Sequence, residues 1–368
     1  MRGHVRARHI PVVETTVTEE RSLEGLGATW RGLEAETPDL SFFRSWSWVG
    51  CLAEERFPHP VVLKGWRDGR LVGLALFNRR DGALHLGESG DPALDAPFVE
   101  HNGPLAMDGD VSLALLRSAA ASKGIRRLVL SGISQELLAG APGVALRHQR
   151  REAPHADLAA VRKAGGDPLT LLSANARQQI RRSARRYGAP VLRRAEDTAE
   201  ALAMLEEMTE LHQRSWTARG KPGAFAHPFM RRFHAALVRR GMERDEVDLL
   251  RAEGSGGQAG ILYNFRLRGR VSAYQSGLDL AGAGSQGKPG LTCHSMAIGR
   301  AAAMGDDIYD FLAGPDRYKR TLAQGSATLH WAEMVRRHSL LGLAARARDF
   351  GRRHGLGRQP PVPDPTEA

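Results

Sequence analysis

The chain has 368 residues, 42% of them apolar and 25% charged, which excludes a lone small module or a disordered polyelectrolyte and predicts two domains. Fifty-two basic against 41 acidic residues leave a net charge of +11, so partners are expected to carry phosphate, whether on nucleotides, anionic lipids or nucleic acid. Cys51 and Cys293 lie far apart and outside any CxxC pattern, which argues against a disulfide framework or a structural zinc site and suits a reducing cytoplasm.

The amino terminus, MRGHVRARHIPVVETTVTEE, lacks the apolar core and small-residue cleavage site of a secretory signal. No apolar run reaches bilayer-crossing length, so the expectation is a cytoplasmic protein with at most peripheral membrane contact. Residues 1–20 read as a tail. From Ser41 to Phe57, Phe42, Phe43, Trp46, Val49, Leu52 and Ala53 recur at three and four, predicting one helix with a buried face. Strands then follow in PVVLKGW and LVGLALFNRR, joined at Asp68-Gly69, and in ALHLG after Asp81-Gly82, both hairpin signals. A turn-rich stretch, ESGDPALDAPFVEHNGPL, a helix near 111–123, a strand in RRLVLSG and a polar strand near 146–160 complete an α/β domain over 21–160.

VRKAGGDP, within 161–168, has the composition of a connection. Beyond it, a second domain over 169–345 opens with an arginine-rich helix closed near Gly188, then helices near 197–218 and 227–240. EVDLLRAE, AGILYNFRL and VSAYQSGLDL form a three-strand meander. GAGSQGKPG leads into a small-residue helix, followed by the strand DIYDFLAG, the segment PDRYKRTLAQG and a last strand, TLHWAEMVRR. Residues 346–368 read as a basic tail rich in glycine and proline from about Gly351.

Two features suggest anion binding. Glycines before a helix let backbone amides approach a pyrophosphate, with Lys288 adding charge; the same glycines also suit an exposed turn. Between Arg177 and Arg194 stand seven arginines and no acid. Arg177, Arg181 and Arg185 form a stripe able to grip a diphosphate or an anionic acceptor, or else a solvated basic face. Asp310 and Tyr309, adjacent on one strand, must point to opposite sides of the sheet. No GxSxG, HExxH or GxxxxGK[ST] motif occurs, no metal-ligand spacing is recognised, and His212, His227 and His234 read as surface or packing residues.

The element order, with LSANARQQIRRSARRYG, GKPGLTCHSMAIGRAAAMG and above all YDFLAGPDRYKRTLA, resembles the GNAT acyltransferases. Within them it is similar to the CelD-like, or cellulose-biosynthesis, acetyltransferases and to the related FemAB aminoacyltransferases. The resemblance spans about residues 20–340, with its specific motifs in the second half. It implies an α/β (α+β) fold of two GNAT-like halves, each a mixed, mainly antiparallel sheet flanked by helices, with acetyl-CoA or a longer acyl-CoA as donor, no metal, and an amine or sugar acceptor. Through FemAB it implies the alternative of aminoacyl-tRNA. A non-catalytic accessory of polysaccharide synthesis is a further alternative.

Carried onto this chain, the resemblance places the donor beside Tyr274, Gln275 and Ser276 and its phosphates at Gly287, Lys288 and Gly290, although the loop is irregular against the usual GNAT glycine pattern. Asp310 is expected in the cleft, accepting a substrate proton or holding Lys319 and Tyr318; the alternative is an aspartate that anchors the following turn at the Gly314 amides. Tyr318 is the candidate acid for the departing thiolate, and Lys319 neutralises a phosphate or carboxylate. Arg177 and Arg181, together with Asp91 and Asp95, are expected to border the acceptor; the Asp-rich loop that holds these two aspartates also gathers Glu100, His101 and Asn102, and the resemblance implies that it borders the cleft.

Overall fold

The computed structural model describes residues 14–95, 99–284 and 287–353. The first half runs β1 (Thr16–Glu20), α1 (Leu26–Glu36), α2 (Trp46–Val49), α3 (Ala53–Arg56), β2 (Pro60–Arg67), β3 (Arg70–Arg80), β4 (Ala83–Leu86), β5 (Leu105–Ala106), α4 (Gly109–Ala121), β6 (Arg127–Ile133), α5 (Gln135–Gly140), β7 (Val144–Asp157) and α6 (Leu158–Lys163). The second runs α7 (Ala174–Arg186), β8 (Val191–Arg194), α8 (Thr198–Thr217), α9 (Pro228–Met242), β9 (Val247–Gly254), β10 (Gly257–Leu267), β11 (Arg270–Leu278), α10 (Pro289–Ala303), β12 (Ile308–Asp310), α11 (Arg317–Leu322), β13 (Gly325–Val335) and α12 (Leu340–Arg353).

One mixed sheet carries both halves, in the order β1-β2-β3-β4-β6-β13-β7-β12-β11-β10-β9-β8, with β5 beside β3. From either edge the pattern is the same: an antiparallel meander, then a parallel neighbour (β4 with β6, β11 with β12) reached through a crossover helix, α4 or α10. At the centre the halves exchange strands. β13, from the end of the chain, lies between β6 and β7, and β7 lies between β13 and β12.

The core follows from strand alternation. Leu249, Ile261, Tyr263, Phe265 and Tyr274 face α8 and α9 and merge with Trp30, Phe42, Phe43, Trp48 and Phe57 of the first half in a single cluster. Phe42 stacks on Phe265 at 4.1 Å. Each such ring contributes about 1.5–3 kcal/mol on burial, so this face welds the halves. The opposite face carries two separate clusters, under α4 and under α10 with α7.

Several expected elements take another form. The single helix over 41–57 is two short helices, α2 and α3, interrupted where Leu52 adopts φ 49°; Trp48 and Phe43 are buried all the same. Thr16–Glu20, read as tail, pairs with β2 as an edge strand. Residues 161–163, read as connection, close α6. The basic tail from 346 is helical as far as Arg353. Its remainder, like residues 1–13 of the amino-terminal segment, lies outside the described residues.

Candidate active site

β11 and β12 pair at Arg270 with Ile308, Val271 with Tyr309 and Ser272 with Asp310, and there the pairing stops. Two local devices part them. On β11 the register against β10 slips, leaving Tyr274 as an extra residue between Ala273 and Gln275. On β12 the Asp310 carboxylate accepts the Leu312 amide at 2.8 Å, Leu312 takes φ 59°, and the Phe311 amide donates to Pro154 O at 2.9 Å, drawing the chain toward β7. The gap is a cavity of about 440 Å3 lined on the sheet by Ser276, Phe311 and Leu312 and around it by Glu100, His212, Trp216, His294, Tyr318 and Lys319.

The corresponding gap in the first half is filled. β4 and β6 part after His85 and Val129, and residues 99–102 lie in the opening. Asn102 bridges Ile133, its Nδ2 donates to Leu86 O at 2.9 Å and its amide donates to Gly132 O at 3.0 Å. Gly132 permits this close approach: at φ 64° a Cβ would sit 2.2 Å from Val99 O. The same segment delivers Glu100 into the second half's cavity, where its carboxylate accepts the Ala313 amide at 2.6 Å. Burial raises the Glu100 carboxyl above its ordinary range, while the Ala313 bond and Lys319 pull the other way.

Ser276 faces the gap. The ladder with β10 continues through the Asp279 amide bond to Ala259 O, 3.1 Å, and alternation then turns the Ser276 peptide groups toward the missing neighbour. Its carbonyl meets His212 Nδ1 at 3.3 Å, and the Ala224 amide donates to His212 Nε2 at 3.3 Å. The imidazole is therefore neutral with its proton on Nδ1, and burial lowers its pKa to about 4. Gly277 lets α8 come this near, since a Cβ there would stand 2.4 Å from Met208 O.

Tyr318 stacks on His294, with centroids 5.0 Å apart, and His294 Nδ1 lies 2.9 Å from the Tyr309 hydroxyl. Burial lowers the His294 pKa to about 3 and raises that of Tyr318, so both rings are neutral. Lys319 Nζ donates to Ala313 O at 3.0 Å and Leu312 O at 3.3 Å. Burial lowers its pKa against the opposing pull of Glu100, Asp316 and Asp310.

The structure thus gathers Gln275, Ser276, Tyr318 and Lys319 at one cavity and distributes the other expected residues elsewhere. Tyr274 borders it, but its ring packs against Phe265 at 4.5 Å and Trp48 at 5.6 Å. Asp310 does not line it. Tyr309 and Asp310 do face opposite sides, and Asp310 is fully buried against His101 Nε2 at 2.8 Å and Arg270 Nη1 at 2.7 Å. Burial would raise its pKa; His101 and Arg270 outweigh burial and hold it below the ordinary value. Asp310 is therefore the turn anchor rather than a group in the cleft.

At the start of α10 the Lys288 amide donates to Ser183 Oγ at 2.8 Å and the Gly287 amide to Ala283 O at 2.9 Å, with Gly290 against Leu278. Ser285 and Gln286 lie outside the described residues. Arg177 donates to Leu172 O at 2.7 Å, Arg181 is exposed, and neither lines the cavity. Asp91 pairs with Arg80 at 2.9 Å, and Asp95 accepts from Ser89 and Gly90 to close its own loop. Neither lines the cavity, so the structure does not bring them to the expected place beside an acceptor. Of the loop expected at the cleft it is Glu100 that reaches the wall, and His212 and His294 complete it without having been singled out for it, because only tertiary folding brings them there.

No protein of curated function matches the sequence at a significant level. Among solved structures, the chain is similar to the C-terminal domain (DUF2156) of a putative lysylphosphatidylglycerol synthetase from Agrobacterium fabrum, with TM-score 0.53, 13% identity and coverage of 88% of this chain and 96% of that one. It is also similar to L-PGS from Bacillus licheniformis, with TM-score 0.52, 11% identity and coverage of 87% and 96%. FemX superposes with TM-score 0.47 and 11% identity over 89% of this chain and 100% of its own. Residues 174–320, which contain the wedge between β11 and β12, match the family model for the acetyltransferase (GNAT) domain, and the mixed α/β fold around them is GNAT-like.

Proposed function

We propose that the chain is an acyl-CoA-dependent N-acyltransferase of two GNAT-like halves, acting in the cytoplasm. The donor, acetyl-CoA or a longer acyl-CoA, sits between β11 and β12. The observation that carries this reading is the opening at Ser276, where a peptide group faces a cavity walled by Tyr318, Lys319 and Glu100. The second half suits an anionic donor better than the first. Its crossover helix α10 starts at Lys288-Pro289 with no acid in its first turn, whereas α4 is capped by Asp108 and carries Asp110.

In this reading the acceptor amine adds to the thioester carbon, forming the C–N bond, and Glu100 takes the amine proton. The developing oxyanion faces the Ser276 amide. C–S cleavage releases a thiolate; Tyr318, kept as a neutral phenol by burial, hydrogen-bonds it, and Lys319 supplies positive charge. Asp310 is a positioning residue that shapes the mouth of the wedge through Leu312 and His101. The resemblance of YDFLAGPDRYK to CelD-like proteins favours a sugar or envelope precursor amine as acceptor.

Calorimetry with acetyl-CoA, longer acyl-CoAs and desulfo-CoA, paired with thiol release, tests the reading on the native protein and Tyr318→Phe. Donor binding retained and turnover lost in the variant supports it; absence of binding by every CoA thioester overturns it. The exposed arginines Arg181, Arg182 and Arg185, on the helix that holds the Lys288 amide, favour aminoacyl-tRNA as the second reading. Salt-sensitive tRNA binding without CoA binding selects that donor. Turnover with either donor excludes a purely accessory role.

A further inference from the structure

We propose that α12 and the arginine-ringed groove beside it form a docking site for an anionic lipid bilayer. The site is independent of the donor cavity. α12 rests on β7 through its inner side: Ala345 is buried and Arg348 donates to Leu146 O. At 100° per residue, Leu340, Leu343, Ala344 and Ala347 share the outer arc. All four are exposed, Leu340 at 87% and Leu343 at 50%.

Two adjoining hollows of about 350 and 270 Å3 lie at the foot of this helix. Arg126 and Arg127 line both, Arg336 and Arg337 the first, and Arg147 and Leu341 the second. Among the described residues, the single carboxylate in these linings is Glu333, 3.0 Å from Arg127 and 3.7 Å from Arg147. Five guanidinium groups against one carboxylate leave a strong local excess of positive charge.

The join between groove and helix is built. Ser339 Oγ accepts the Gly342 amide at 3.0 Å, and a Cβ on Gly342 would stand 2.1 Å from Arg336 O. α12 therefore starts hard against the arginine pair, placing exposed leucines directly beside cations. An interfacial helix uses this combination, with apolar side chains in the headgroup boundary and arginines on lipid phosphates. A soluble polyanion would engage the arginines and leave Leu340 and Leu343 without a role. The other arginine face, on α7, exposes Arg181, Arg182 and Arg185 but no large apolar side chain, which assigns the bilayer to α12.

Co-sedimentation of the full chain with vesicles of phosphatidylcholine, alone or mixed with phosphatidylserine, tests the proposal. Partition is expected to be at least ~10-fold stronger onto the mixed vesicles and to weaken as salt rises. Leu340→Ser with Leu343→Ser, and separately Arg126→Glu with Arg337→Glu, should each reduce it ~10-fold, while Arg181→Glu with Arg185→Glu leaves it unchanged. Amide exchange over residues 339–350 of the unaltered protein should slow when mixed vesicles are added. Equal partition onto both vesicles, loss confined to the α7 variant, tRNA binding in place of vesicle binding, or unchanged exchange over 339–350 would each overturn the proposal.

Discussion

Glu100 carries the sharpest prediction at the scale of a single residue. Its carboxyl is raised above 4.5 by burial, so a base at this position is lost as pH falls through that raised value, and the acid limb of turnover should lie above the ordinary glutamate range. Glu100→Gln should lower turnover about 10²–10⁴-fold, with little change in donor affinity, and should erase that limb; a pH–rate profile retaining it would assign the base elsewhere. Three buried histidines set a second pH effect. Burial lowers His212 to about 4 and His234 and His294 to about 3. The unfolded chain takes up these protons near pH 6.5 and the folded one does not, so stability declines as pH falls from 6.5 toward 4, by up to about 1.4 kcal/mol per unit for each histidine. Glu88 works in the other direction: burial lifts it to about 8, so the folded state holds a proton that the unfolded state releases between pH 4.5 and 8. Urea midpoints measured from pH 4.5 to 8 should therefore rise more steeply with pH in Glu88→Gln than in the native protein.

Elements meet across the sheet at glycines, and Gly277 and Gly132 are where a side chain would be felt most. Gly277→Ala puts a methyl group against the Met208 carbonyl of α8, a backbone atom with little freedom to yield. The expected cost is about 1–3 kcal/mol, as for other overpacked sites, and because α8 carries His212 the variant should also lose donor affinity. Unchanged calorimetry together with an unchanged thermal midpoint would contradict that coupling. The hairpins at Asp68-Gly69 and Asp81-Gly82 were legible from sequence because the turn chemistry is local: Asp68 and Asp81 take φ near 50°, and the glycines that follow take φ 73° and 72°. The helix periodicity at Phe42, Phe43 and Val49 correctly marked buried side chains while missing the break at Leu52, since burial depends on the cluster around Phe265 and not on an unbroken helix. For Tyr309 and Asp310, period two gave their opposition but not which face held the cleft. β12 is three residues long and covered on both sides, by His294 of α10 and by His101 from a segment two hundred residues earlier. Gln275, Ser276, Tyr318 and Lys319 were legible because they stand within one motif-bearing half. For Glu100 the sequence marked the loop of the other half as bordering the cleft but not which of its carboxylates enters, since that depends on contacts between the halves such as the Ala313 amide bond.

For the whole molecule, the exchanged strands decide what can fold alone. β7 pairs with β13 along nearly its full length, from His155 with Gly325 to Val144 with Val335, and with β12 on its other side. A fragment ending at residue 164 would carry a fourteen-residue strand with neither neighbour, and one starting at 165 would leave β13 with none and β12 open on one side. Long unpaired edges favour aggregation over folding. The aromatic cluster would be divided as well, since Phe42 and Trp48 pack on Phe265 and Tyr274. Cutting the connection at Gly165 should therefore yield two fragments that are insoluble or unfolded apart but combine one to one when co-expressed, restoring the cavity in which Glu100 meets Ala313. The intact chain should unfold in one transition, with tryptophan fluorescence and far-ultraviolet circular dichroism coincident. A soluble, cooperatively folded 165–368 fragment would show instead that the second half forms its wedge without β7, and that exchange of strands is an embellishment on a self-sufficient domain rather than the condition for the site.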